Sequence, residues 1–465
     1  MGKAFQNQMI FDDRLERIVQ SAQDIERAFE QFRTLQTKQD SDPVALAAHK
    51  RQLQQMLEIL RAELDGYLAS EYGIDHNSVP KREEYDIRFA QWQQSHQPFH
   101  WWVEFYGIMK QGGFDVIIGN PPYVEYSKVR NIYSVQGYQT QMCGNLYALV
   151  MERALGLGRR DGHCGLIVPV SVLCTERMIP LQELLFRAGQ SWCSSFDTRP
   201  SPLFTGVTQR LTISLWVNRS DGHALFFGGY RRWDEEERDA LQVLTTYTSI
   251  SSNDFELGYV PKAATDMEAS IVKKLRSHAL ALSHFETVPN ECPIYIHRII
   301  RYFIKAIDFV PYFWNESEGQ KKSEDYKPFF FQSDALYAIA AILNSTLFYW
   351  FWHVYSDGFH CGYRDVRAFP IGSLKEFQDL PKLQSLGQRL MNEYHQSTKR
   401  KTLISKATGR IEYDEFNPRL CLTTIREIDR VLAKHYGFTD EELYFIINYD
   451  SKYRMGRDSA NEEEE

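Results

Sequence analysis

The sequence predicts an α/β protein built on part of an open sheet, with helices before the sheet and a mixed α+β region after it. Three observations carry this. An apolar, β-branched run, Phe114-Asp115-Val116-Ile117-Ile118-Gly119, reads as a buried strand and breaks at once into Asn120-Pro121-Pro122-Tyr123. Helical spacing over 144–155 is followed by Gly162-His163-Cys164-Gly165-Leu166-Ile167-Val168-Pro169, a glycine turn into a second strand. Before all of this, apolar residues recur at helical intervals through the first 64 positions.

The N-terminal stripe comprises Leu15, Ile18, Val19, Ala22, Ile25, Phe29 and Phe32. Asp42 and Pro43 restart a helix as N-cap and first-turn residue, and Leu46, Leu53, Met56, Leu57, Leu60 and Leu64 continue a second stripe. Two antiparallel helices joined by a turn at 39–42, a helical hairpin with a packing role, is the expectation.

The tetrad that ends the strand carries the chemistry. Two prolines cannot donate to a sheet ladder, so the strand stops there and the tetrad sits on a stiff loop at its carboxyl end. Open α/β sheets place ligand sites at such ends. The Asn120 amide can accept a hydrogen bond from an amino group, and the Pro121 carbonyl can accept a second. Tyr123 offers a flat face on which a base can stack. Two acceptors aimed at an exocyclic amine orient its nitrogen lone pair toward an electrophile, which methylation of an amino nitrogen requires. A Pro-Pro turn closed by a packed tyrosine is the competing reading.

Composition sets bounds. At 465 residues the chain has room for two or three domains with cores. With 43% hydrophobic and 14% aromatic residues it reads as globular rather than disordered. No apolar run has the length of a membrane span, and the first residues lack a signal-peptide core, so no membrane partner is expected. The seven cysteines form no Cys-x-x-Cys pair, so neither a zinc site nor a disulfide framework is indicated, and a reduced, cytoplasmic location is expected. A net charge of −8 argues against a generic polyanion binder but leaves room for a local basic face.

Gly112-Gly113-Phe114-Asp115-Val116-Ile117-Ile118-Gly119-Asn120-Pro121-Pro122-Tyr123-Val124 resembles the catalytic motif of adenine-N6 DNA methyltransferases of the TaqI-like class. It is most similar to the large methylases of type IIG restriction–modification and related phage-defence systems. Pro98-Phe99-His100-Trp101-Trp102-Val103-Glu104-Phe105 resembles the lead-in to that motif, and Leu343-Asn344-Ser345-Thr346-Leu347-Phe348-Tyr349 the family's Leu-Asn-Ser-x-Leu-Phe-Tyr signature. The resemblance implies a partial Rossmann-like methyltransferase domain with an N-terminal helical hairpin and a mixed α+β target-recognition domain. The expected boundaries are 1–95 for the helical insertion, 96–225 for the catalytic half, 226–375 for target recognition and 376–465 for a C-terminal helical region with an acidic tail.

It also implies roles. Asn120, Pro121, Pro122 and Tyr123 would be catalytic. Asn145 and Tyr147 would line the cofactor or base pocket, with core and cap roles as the plainer alternative. Phe204, in Leu203-Phe204-Thr205-Gly206, would touch the adenine edge, and core packing competes for it. Arg210, Arg298, Arg301, Lys321, Lys322, Arg364 and Arg367 would contact double-stranded DNA, with a structural ion pair as the rival reading for Arg210. The aromatics of 338–352 read as core. Thr439 with Glu442 reads as a capping box after a helix that ends at Gly437, and the acidic run 462–465 as a solvated tail.

S-adenosylmethionine would be the cofactor. The family holds it on a glycine-rich turn after its first strand, roughly Asp-Pro-Ala-Cys-Gly-Ser-Gly, and no segment of this sequence matches it. The expectation is therefore an incomplete cofactor site, with the missing strands supplied in trans by a second chain, lost by truncation, or rearranged beyond recognition. The alternative is a non-catalytic DNA-recognition subunit of a defence complex. Cytosine-N4 methylation is a further enzymatic alternative, although serine is more usual there at the first motif position. No metal site and no nuclease constellation is expected.

Overall fold

The computed structural model describes residues 2–37, 42–219, 224–289, 293–377, 379–405 and 409–455. It is a mixed α/β protein of two units, one comprising Met1–Ile118 and Pro122–Cys164, the other Gly119–Pro121 and Gly165–Glu465.

In the first unit the helices Gly2–Thr37 and Pro43–Glu71 carry the two apolar stripes. Ile25, Leu53 and Leu60 bury together with Val103 and Tyr106, and Ile18, Phe29, Phe32, Met56, Leu57 and Leu64 pack around them. Val19, expected on the stripe, is 49% exposed. It stands one residue past Ile18, about 100° further round the helix, and so misses the apolar face. The Leu15 side chain and positions 39–41 of the expected turn lie outside the described residues. Asp42 caps the second helix, its Oδ1 accepting from the Val44 amide at 2.9 Å, and Pro43 follows in the first turn.

Strand β1, Phe114–Gly119, follows Gly112 and Gly113, which take φ of +99° and +117°. A side chain at Gly113 would put its Cβ 2.3 Å from the Leu157 carbonyl oxygen, so only glycine fits that turn. β1 departs from the buried strand its composition predicts. Val116 is 59% exposed and Ile118 80%. The cause is position: among the described residues β1 has one strand neighbour, β2 (Gly158–Pro169), and ends the strand order. The helix Leu146–Leu157 joins the two strands.

In the second unit β3 (Gly189–Phe196) pairs antiparallel with β4 (Leu211–Asn218) and parallel with β5 (Ala224–Arg231), whose other side takes the short antiparallel β6, Thr248–Ser249. Beyond them β7 (Pro293–His297) lies between β8 (Ala306–Ile307) and β11 (Tyr326–Phe330). A second small sheet has the order β10-β9-β13-β12, made of Phe313–Asn315 (β9), Gly319–Gln320 (β10), Lys399–Ser405 (β12) and Gly409–Glu415 (β13). The core gathers on the helices Leu336–Leu343 and Thr346–Tyr355, the latter buried at every position.

The polar residues of Leu343-Asn344-Ser345-Thr346 serve this junction. Ser345 Oγ accepts from the Phe348 amide, and the Asn344 side chain bonds both Ala306 backbone groups. The aromatics behind them are core. Further on, Gly437 ends a helix at φ +63°, and Thr439 and Glu442 exchange the bonds of a capping box. The run 462–465 lies outside the described residues. Among the described residues no helix is long and apolar enough to cross a membrane.

Candidate active site

The strand's last residue, Gly119, gives way to Asn120, whose side chain is exposed, and then to buried Pro121, exposed Pro122 and half-buried Tyr123. Neither Asn120 nor Tyr123 is sealed in the interior. Partial burial pushes the Tyr123 phenol above its ordinary range, so it stays neutral at physiological pH. Its ring meets that of Tyr147 edge-on, with centroids 6.5 Å apart and planes at 87°. Tyr147 is fully buried in the first turn of the helix that Asn145 caps.

The segment after the tetrad is clamped. Leu146 N donates to Val124 O and Tyr126 N to Gly144 O, each at 2.9 Å, so Glu125 and Asn145 form an antiparallel bridge. Asn145 Oδ1 accepts from the Tyr147 amide at 3.4 Å, and Asn145 Nδ2 donates to Glu125 Oε1 at 3.2 Å. The sequence reading named Asn145 and Tyr147 but missed Glu125. No local signal pointed to it, because its partner lies 20 residues on.

The remaining candidates lie in the second unit. Phe204 is 39% exposed on the loop between β3 and β4. Arg210 is nearly buried. Its Nε lies 3.0 Å from Asp197 Oδ1, off the line a hydrogen bond requires, and its guanidinium stands 4.9 Å from the Phe359 ring centre. Arg298 pairs with Asp325 at 2.8 Å, Lys321 with Glu318 at 2.5 Å and Arg367 with Glu286 at 2.9 Å. Arg364 donates to the Cys174 carbonyl and lies 3.5 Å from Glu176. Arg301 and Lys322 are exposed. At least five of the seven nominated cations thus already face a carboxylate, which no local pattern in the sequence announced.

S-adenosylmethionine, the cofactor the resemblance implies, needs a glycine-rich turn from a strand into a helix. Among the described residues β1 opens onto the Asn-Pro-Pro-Tyr loop, β2 onto Val170-Ser171 and β3 onto Asp197-Thr198-Arg199. None of these three turns contains a glycine. Among the described residues no cluster of His, Cys, Asp and Glu side chains is arranged to hold a metal ion.

The match to known proteins falls on this part of the chain. A family model described as Eco57I restriction-modification methylase matches residues 39–189. A Methanocaldococcus jannaschii protein named as a type II restriction enzyme and methyltransferase is 32% identical over 90 residues, 19% of this chain and 8% of that protein. Among solved structures, the Type IIL restriction-modification enzyme MmeI in complex with DNA aligns with 76% of this chain and 58% of its own, at 11% identity and a TM-score of 0.41. The type IIG restriction endonuclease BpuSI aligns with 73% of this chain and 53% of its own, at 12% identity and a TM-score of 0.28. In each case the match takes in well short of the whole relative. The Asn-Pro-Pro-Tyr loop lies inside the span, residues 39–189, over which this chain is similar to the Eco57I restriction-modification methylases.

Proposed function

We propose that this chain supplies the base-binding side of a site-specific DNA methyltransferase of restriction–modification or phage-defence type, acting on the N6 amino group of adenine. The observation that carries the reading is the exposed Asn120 amide beside a stiff Pro-Pro step and half-buried Tyr123, at the end of β1.

An adenine in duplex DNA hides its amino group in a base pair, and turning the nucleotide out costs a few kcal/mol. Stacking on Tyr123 returns roughly 1–3 kcal/mol. Asn120 Oδ1 and the Pro121 carbonyl accept the two N–H groups of the amine, which turns the nitrogen lone pair out of the ring plane toward the methyl donor. Neither metal nor covalent intermediate enters, and positioning is the main contribution.

S-adenosylmethionine is the donor in this reading, held by strands outside the described residues and supplied by a second polypeptide. Two features of β1 support this: among the described residues it ends the strand order, so further strands can pair with its edge, and exposed Val116 and Ile118 are apolar surface that a covering layer would bury. Phe204 contacts the adenine edge. Among the cations, an exposed ion pair is worth at most about 1 kcal/mol, so Arg298, Arg301, Lys321, Lys322, Arg364 and Arg367 can turn to phosphates. Arg210 is the exception: its nearly buried guanidinium stays with Asp197.

The test is Asn120→Ala in the protein purified from its own host. N6-methyladenine formation should be lost while duplex binding stays near the parent value, and near-normal turnover would overturn the assignment. The second reading, a DNA-recognition subunit without activity, is favoured by the incomplete cofactor site. Duplex binding with no methyl transfer by the parent assembly would establish it.

A further inference from the structure

One amide side chain ties together the two pieces of chain that meet at Tyr123. Asn145 is 7% exposed and both of its polar atoms are engaged: Oδ1 takes the Tyr147 amide and Nδ2 gives to Glu125 Oε1. The first bond fixes the start of the helix whose next residue, Tyr147, presses edge-on against the Tyr123 ring. The second reinforces the Glu125 bridge, two residues downstream of Tyr123 in the chain. Gly144, at φ +68°, turns the chain into that bridge. Tyr123 is therefore held from the side through Tyr147 and along the backbone through Glu125, and the Asn145 side chain takes part in both restraints.

Resting on the adenine reading above, we propose that Asn145 and Glu125 are positioning residues for Tyr123 as the stacking platform of an extruded purine. A plain helix cap uses only the side-chain oxygen, and aspartate or serine serves it as well as asparagine. The Nδ2 donor to Glu125 exceeds what a cap requires.

The experiment separates cap from strut. Asn145→Asp keeps the cap acceptor, removes the donor and sets a carboxylate against Glu125. Adding Glu125→Gln rebuilds the hydrogen bond with donor and acceptor exchanged. Each protein, as the full assembly purified from its host, is assayed for kcat and KM on duplexes carrying the sequence methylated in the host genome, and for base extrusion on the same duplexes with 2-aminopurine in place of the target adenine. We expect Asn145→Asp to lower kcat by about tenfold with KM for DNA within about twofold, and to change the 2-aminopurine emission of the complex. Thermal stability should stay close to the parent, and the double variant should regain both signals. Parent-like kcat and emission for Asn145→Asp would overturn the proposal, as would failure of the double variant to recover either. A parent protein that neither methylates nor shifts 2-aminopurine emission removes the adenine reading itself, and this proposal with it.

Discussion

Arg232 Nε donates to Asp197 Oδ2 at 2.9 Å, with 5% of the arginine side chain and none of the carboxylate exposed. The two residues follow parallel neighbours, β3 and β5, at their carboxyl ends. Asp197 also accepts from the Thr198 amide at 2.7 Å and faces Arg210. Arg232 reaches onward to the Tyr349 hydroxyl, the Arg301 carbonyl and Asp450. The pair thus joins the end of the sheet to the central helix and to the C-terminal region of the second unit.

Removing one member of such a pair strands the other without water, which costs about 3–5 kcal/mol. Asp197→Ala should lower the urea midpoint of the second unit accordingly, with near-UV circular dichroism reporting the loss. A change below about 1 kcal/mol would mean that the remaining partners suffice.

Tyr123→Ala should weaken binding to a duplex with a mismatched target base by roughly 1–3 kcal/mol, the scale of base–aromatic stacking, and Tyr123→Phe should bind like the parent. Fluorescence anisotropy measures both. Equal affinity for all three proteins would exclude stacking.

Burial pushes the Asp429 carboxyl up to about 6, although it accepts from the amides of Thr346 and Leu347 at 2.9 and 3.2 Å. Asp365 is raised likewise to about 6 by burial. A folded carboxyl that holds its proton more tightly than the unfolded one costs stability once ionised. Stability therefore falls as pH rises from about 4 toward the raised values. Asp429→Asn keeps the acceptor and removes the titration. Its unfolding free energy should vary less over this window than the parent's, and at pH 7 should equal or exceed it. An unaltered slope would show that the carboxyl titrates normally.

Lys322→Ala should reduce the slope of log binding constant against log salt by about 1 on duplex DNA of any sequence, with stability unchanged. Arg210→Ala should instead leave that slope alone and destabilise the second unit, because Asp197 loses a neighbour. If the slope follows Arg210 and ignores Lys322, the DNA surface has been drawn on the wrong residues.

Much of what was legible in the sequence was local. The Asp42 cap, the Thr439–Glu442 box, the Gly437 stop and the facing apolar stripes rest on neighbours within one helical turn or on one repeating interval. The end of β1 at the Pro-Pro step is of the same kind. Val19 marks the edge of this legibility, since an apolar residue one position off the stripe looks no different in sequence from one on it.

By itself, the sequence determined the strand that delivers Asn120 and Tyr123, because two prolines end a ladder whatever surrounds them. The tertiary structure alone decided that Val116 and Ile118 lie bare, that five nominated cations face acids, and that Asn145 joins Glu125 to Tyr147. Arg232 and Asp450 stand 218 residues apart. Burial and ion pairing depend on what the fold carries to a place, and a periodicity of two or 3.6 residues holds no record of that.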